Sequence, residues 1–262
     1  MDRDLSGQRI KSTIGSRVKV KTSGYAIYKK GGYGRFIGMT ADDAREAFKT
    51  IEQLKGLSVD YIKVINSGVF MPESGLISNG GFTREEIREI ISYATDSGFP
   101  VFCHANGDVA IRDAVEAGAS SIVHGFCVSE DTLALMKDKR ASLIPTLNAL
   151  SSLSLNSVSS EARKNIDIMT ERHLSAMSRA KDLGVCLFSG SDSGALFLPY
   201  GTSYLKELLF FEKAGLSIKQ ILSASVTGEL QEGLRADFII LNGLNVEAVF
   251  VNGIPVSRNT VF

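Results

Sequence analysis

Lys63, His104, His124 and Asp192 each stand in or just after a short apolar run: YIKVI, VFCH, SIVH and VCLFSGSD. Imidazole nitrogens and carboxylate oxygens suit a divalent cation of the zinc type. A carboxylate beside such a cation can move a proton between water and a leaving group. Each residue also has a structural alternative. A strand-end histidine can serve as a hydrogen-bonded scaffold residue, and Asp192, in Ser191-Asp-Ser-Gly, as a turn or helix cap. Two histidines closing successive strands favour a site. Lys63 is the sharpest anomaly, because an ammonium inside an apolar strand is costly unless paired or modified. Tyr61 and Ile65 share its phase and face the same side. His173, in the charged run TERH, reads as solvated surface. Cys103 and Cys127 sit beside candidate histidines and read as small buried fillers rather than nucleophiles.

The elements that must position these groups alternate along the chain. Strands are expected at Arg17–Thr22, Val59–Ile65, Val101–His104, Ser121–His124, Ala141–Pro145 and Val185–Ser189. Between and after them lie amphipathic segments: Ala41–Lys55 behind Thr40, a helix from Thr83 to about Ser97, Asp108–Ala117, Ser129–Lys139, Glu161–Leu183, Thr202–Ala214 and Ser217–Ser225. Thr83 with Glu86 three residues on has the form of a capping box, and Gly184 the form of a helix stop. Short, nearly uniform apolar strands, each followed by a helix, indicate parallel strands covered on both faces and an α/β architecture. Six such units are present, where a closed (β/α)8 barrel has eight. No GxGxxG follows the first strand, so a dinucleotide-binding sheet has no support. Ser151–Ser160 is Ser-rich and reads as a mobile loop. From Gly233 the texture changes to two β-rich runs, Asp237–Leu241 and Val246–Val251, with an Asn252-Gly253 turn into Ile254–Val256.

Lys plus Arg and Asp plus Glu both number 29 in 262 residues, so the formal charge is zero. Nothing in that balance points to a nucleic-acid backbone or an anionic membrane surface. Three cysteines with no CxxC fit a reducing cytoplasm rather than a disulfide framework. The polar start MDRDLSGQRIKS lacks the apolar core of a signal peptide, and no apolar run reaches membrane-span length.

Taken in order, VDYIKVINSG, FTREEIREIISYATDSGFPVFCHANGDVAIRDAVEAGASSIVHG, SLIPTL, GVCLFSGSDSG and GLRADFIILN resemble the metal-dependent amidohydrolase superfamily, in its branch of imidazolonepropionase-like enzymes and Xaa-dipeptidases. The resemblance spans residues 15–255. It implies a (β/α)8, TIM-barrel-like domain over residues 1–230 and, over 231–262, strands of a small β-sandwich. It places Lys63 at the family's fourth-strand lysine, often carboxylated, and His104 and His124 at the fifth- and sixth-strand ligands. Asp192 falls at the eighth-strand aspartate, which binds metal and carries a proton. The departure is specific. The family's first strand ends in HxH, and this sequence, with His104, His124 and His173 as its histidines, has none. RVKVKTSG resembles the family's third strand, so the first two βα units have no counterpart. One ion, zinc by preference, is therefore expected rather than two, with Lys63 a ligand only if carboxylated, since an ammonium cannot ligate.

The implied activity is hydrolysis of an amide, cyclic amide or dipeptide by a metal-activated water. The alternatives are a catalytically impaired remnant, one subunit of a split enzyme whose partner supplies HxH, and a lactonase or phosphotriesterase of the same superfamily. Open barrel edges point to a homo-oligomer or a complementing N-terminal polypeptide. Tyr28, Tyr33 and Tyr200, in the strand-end loops, are candidates for the substrate pocket, with plain packing as the alternative.

Overall fold

A computed structural model describes residues 6–14, 19–155, 158–194, 197–226, 232–243 and 245–256. Helix α1 (Ser6–Ile14) leads to strands β1 (Ala26–Lys29) and β2 (Gly38–Ala41) and helix α2 (Ala44–Gly56). Then come β3 (Ile62–Ile65), the small hairpin β4 (Phe70–Met71) and β5 (Leu76–Ile77), α3 (Arg84–Asp96), β6 (Val101–Ala105), α4 (Asp108–Glu116), β7 (Ser121–His124), α5 (Glu130–Lys139) and β8 (Ser142–Ile144). Helices α6 (Leu147–Ser151), α7 (Ser160–Leu183), α8 (Thr202–Lys213) and α9 (Ile218–Ser225) follow, and β9 (Phe238–Asn242), β10 (Asn245–Val251) and β11 (Ile254–Pro255) close the chain.

The main sheet runs β2-β1-β3-β6-β7-β8, with every pair parallel. From β3 to β8 neighbours follow chain order, each joined through one helix, and successive helices pack side by side over one face. This is the TIM-barrel-like α/β arrangement, here with six strands in the sheet, and a separate antiparallel sheet β11-β10-β9 forms the C-terminal tail. Period-two alternation sorts the strands into two faces. Ile27, Ile62, Val64, Val101, Cys103, Ala105, Ile122 and Leu143 join the core under the helices. Ala26, Tyr28 and Ile65 belong to a second, smaller cluster on the inner side. Lys63 and His104 have that inner parity, so the register that buries the outer core also delivers the ionisable groups to the barrel interior.

Local signals explain several boundaries. Thr83 and Glu86 form the reciprocal capping box ahead of α3. Gly184 ends α7 in the left-handed conformation. Ser129 and Ser217 cap α5 and α9 through their hydroxyls.

Other expectations need correction. No strand occupies residues 19–22, and residues 17 and 18 lie outside the described residues. The first strand is Ala26–Lys29, flanked by β2, whose Gly38 lies against β1 so closely that a Cβ would meet the carbonyl oxygen of Ala26 at 2.2 Å. Helix α2 begins after Asp43, whose carboxylate caps the amide of Glu46, not after Thr40. Val185–Ser189 is reduced to one parallel bridge, Leu143 to Leu187. The Ser-rich stretch Ser151–Ser160 is not one loop: Ser151 ends helix α6, Ser152–Leu155 forms a 3-10 turn, Ser160 opens α7, and residues 156 and 157 lie outside the described residues. The expected pairing of β10 with β11 through Asn252-Gly253 is present. Among the described residues no helix is long and apolar enough to cross a membrane.

Candidate metal and active site

Lys63, within β3, His104, near the C-terminal end of β6, and His124, the last residue of β7, are all buried. The rings of His104 and His124 stand 4.5 Å apart, edge to face. Asp192 lies within electrostatic reach of both Lys63 and His104. The four sequence-predicted ionisable residues therefore share one mouth of the sheet.

Hydrogen bonding orients the imidazoles. Nε2 of His104 lies 3.1 Å from the carbonyl oxygen of Gly68. A carbonyl only accepts, so Nε2 carries the proton and Nδ1 keeps its lone pair. That Nδ1 is buried and has no hydrogen-bond partner. Gly68 is required here, since a Cβ would meet the carbonyl oxygen of Ser78 at 2.1 Å. Nδ1 of His124 is engaged by Oγ1 of Thr146 at 2.6 Å, which leaves Nε2 as its other nitrogen.

The electrostatics agree with neutral imidazoles. Burial, and then the neighbouring His124 and Lys63, hold His104 well below the ordinary histidine value. Burial and Lys63 push His124 down to about 3. Burial lowers Lys63 to about 8 despite the opposing charge of Asp192. Burial raises Asp192, with Lys63 pulling the other way. Neutral imidazole is the ligating form. An unpartnered buried Nδ1 whose opposite nitrogen is fixed by a carbonyl is the usual outer-shell arrangement of a metal ligand. The donor chemistry thus fits a divalent cation. Among the described residues, however, no group of three or more His, Cys, Asp and Glu side chains is set to hold one, so the fit rests on the histidine pair with Lys63 and Asp192.

Backbone strain collects at the same mouth. His124, Thr146 and Asp192 have φ of 71°, 51° and 51°. Left-handed conformations cost non-glycine residues roughly 1–3 kcal/mol each and persist where the surroundings enforce them.

Of the three candidate tyrosines, Tyr33 stacks on the His104 ring at 5.3 Å. Burial and the charge of Asp192 raise its phenol pKa. Tyr28 is buried in the cluster of Ala26, Ile37 and Ile65. Tyr200 is 81% exposed, with its hydroxyl over Gly194, where a Cβ would meet it at 2.7 Å. His173 departs from expectation: it is buried on α7, not solvated. Its ring packs edge-on to Phe126 at 4.8 Å, and neither nitrogen makes a hydrogen bond of standard geometry. Burial lowers it to about 4, although the carbonyls of Pro145 and His124 oppose the shift. Cys103 is fully buried and its thiol is pushed up to about 12, which suits a filler.

Thr146 and Glu207 complete the surroundings from outside the sequence-predicted set. Glu207 is fully buried on α8, and its carboxylate accepts from the backbone amides of Leu147 at 3.0 Å and Asn148 at 2.6 Å. The available signal was its place in the stripe Ser203, Glu207, Leu208 and Phe211, which is the buried face of α8.

The sequence profile of the amidohydrolase family matches residues 16–256. No curated protein sequence matches the chain. Among solved structures, a Xaa-Pro dipeptidase with bound methionine in its active site superposes with a TM-score of 0.82 at 20% identity, covering 97% of this chain and 73% of its own. Ochratoxinase of A. niger gives 0.83 at 21%, covering 100% and 72%. A prolidase complexed with N-methylphosphonate-L-proline gives 0.72 at 22%, covering 97% and 73%. At these identities the likeness is one of fold.

Proposed function

Because this chain belongs to the amidohydrolase family, we propose that it hydrolyses a C–N bond of a small amide, cyclic amide or dipeptide, using one divalent cation held by His104 and His124 with Lys63 and Asp192. The observation that carries this reading is the pair of adjacent, neutral, buried imidazoles, with His104 Nδ1 free of any hydrogen bond. The solved prolidase and Xaa-Pro dipeptidase of similar fold make a dipeptide the first substrate class to test.

When bound, the cation supplies Lewis acidity to the scissile carbonyl and lowers the pKa of a water. The remaining work belongs to the chain. A carboxyl raised by burial holds a proton more readily than an exposed aspartate, so Asp192 takes a proton at its carboxylate and returns it to the leaving nitrogen. Lys63, lowered to about 8, keeps a fraction of neutral amine at neutral pH. That is the nucleophilic form whose nitrogen can add to carbon dioxide, releasing one N–H proton to solvent; the resulting carbamate oxygens would be the ligands Lys63 offers a cation. Tyr33, against His104, lines the approach to the carbonyl.

The test is metal analysis of the purified full chain, followed by hydrolysis assays on a panel of dipeptides and cyclic amides with added zinc. Bound metal and turnover, both lost in His104→Ala with His124→Ala, support the reading. A chain that takes up no metal and cleaves nothing refutes it.

A second reading is supported by the absence of HxH from the sequence. It makes the chain an impaired relative, or one half of a site that a second polypeptide completes. Zinc uptake through His104 and His124 without turnover would favour it.

A further inference from the structure

Thr146 is the N-cap residue of α6 and adopts φ 51°. That conformation is a genuine outlier for a β-branched residue. A threonine at this position ordinarily turns its hydroxyl onto an amide two or three residues ahead. Here α6 has no side-chain cap of that kind. The hydroxyl is diverted to Nδ1 of His124, 2.6 Å away.

Diverting a cap leaves the first-turn amides of the helix without a partner, a cost that must be met from elsewhere. Glu207 meets it. Leu147 N–H donates to Oε1 and Asn148 N–H to Oε2, so both carboxylate oxygens are used on consecutive amides directly after Thr146. The carboxylate reaches them from a helix about sixty residues further along the chain. It is fully buried, in line with Leu208 and Phe211. A buried carboxylate carries a desolvation cost, which these two amide hydrogen bonds offset, and an apolar side chain there would leave both amides unpaired. The arrangement makes sense if the carboxylate holds the strained turn so that Thr146 is free for another task.

We infer that Glu207 is a positioning residue: by capping α6 from outside it releases the Thr146 hydroxyl to accept from Nδ1 of His124, which leaves the Nε2 lone pair facing the site. This rests on the reading of His124 as a metal ligand, and it adds Glu207 and Thr146 to the machinery that orients that ligand.

Two measurements on the full chain test it. The first uses nitrogen-15 histidine NMR on metal-free protein to read the His124 tautomer. Wild type shows Nδ1–H, and Thr146→Ser keeps it. Glu207→Gln and Thr146→Val, which retains the shape without the hydroxyl, move His124 to Nε2–H or to an exchanging mixture. Glu207→Asp withdraws the carboxylate by one methylene and gives the same readout where Glu207→Gln does not fold. The second is zinc affinity by chelator competition. Each of Glu207→Gln and Thr146→Val lowers it about 10- to 100-fold, the range for outer-shell partners. The double variant falls no further than the weaker single one, because both changes cut the same chain of contacts. An unchanged tautomer in the Glu207 variants, or losses that add in the double variant, would overturn the inference. A wild type that binds no zinc defeats the proposed function instead, and the metal-free tautomer measurement still decides the role of Glu207.

Discussion

The imidazole of His104 stands edge-on to that of His124, ring centres 4.5 Å and planes 76° apart, with both rings held neutral by burial. Neutral rings in that relation repel little, and under the proposed function each gives a nitrogen to the same cation. Zinc at about 100 times its dissociation constant should stabilise the fold by about 2.7 kcal/mol, a rise of roughly 5–10 °C in Tm for a chain of this size. Thermal melts with and without zinc check this. His104→Ala and His124→Ala should each abolish the rise while leaving the zinc-free Tm lower by only a few degrees.

Lys63 is buried in β3 with Asp192 as its opposing charge. Desolvating an ammonium costs more than a distant partner returns. Lys63→Met keeps the volume and removes the charge, so we expect equal or higher stability by urea denaturation. Hydrolysis should fall by a factor of about 100 or more, comparable to loss of a group essential to the chemistry. A variant that is both less stable and fully active would show Lys63 to be a structural ion-pair member.

Much of this was readable in advance where local chemistry and tertiary context agree. The Thr83–Glu86 capping box, the Gly184 stop and the strand SIVH are such places. The readings that failed share a cause, which is that a local pattern was overruled by distant partners. RVKVKT alternates like a strand, yet the sheet takes up AIYK, which has β3 to pair with. The Ser-rich segment Ser151–Ser160 looks like a loop, but it continues from helix α6, whose first turn Glu207 caps from α8. His173 looks solvated between Arg172 and Leu174. Its true setting is the stripe Ala162, Ile166, Met169, His173, Met177 and Ala180, spaced by three and four residues along the buried face of α7. The same periodicity would have marked Glu207 as a carboxylate needing buried partners.

His173 gives a pH prediction. Its pKa falls from 6.5 to about 4 in the folded protein. Its contribution to stability is therefore complete above pH 6.5 and is lost as pH falls towards 4, by about 2 kcal/mol at pH 5. The site histidines act in the same direction in metal-free protein. Glu207, raised to about 7, acts oppositely: its contribution is complete below pH 4.5 and lost as pH rises through 7. His173→Leu removes two unsatisfied nitrogens and one acid-sensitive group. We expect unfolding free energy at pH 7.5 to be unchanged or higher, and the loss between pH 7.5 and pH 5 to shrink by about 2 kcal/mol. An unchanged loss would mean that His173 is not neutral and buried in solution.

Tyr33 offers the sharpest separation of binding from chemistry. Its ring stacks on His104 and meets Phe36 edge-on, so Tyr33→Phe keeps both contacts and removes only the hydroxyl. Burial and Asp192 raise the phenol pKa, so the hydroxyl stays protonated and can donate to a substrate carbonyl or carboxylate. A neutral hydrogen bond of this kind contributes about 1 kcal/mol, or roughly a fivefold change in binding. If it is made equally in the ground and transition states, KM rises about fivefold while kcat stays within about twofold. Zinc affinity, set by groups the substitution leaves in place, should not move. A fall in kcat at constant KM would instead assign the hydroxyl to the transition state.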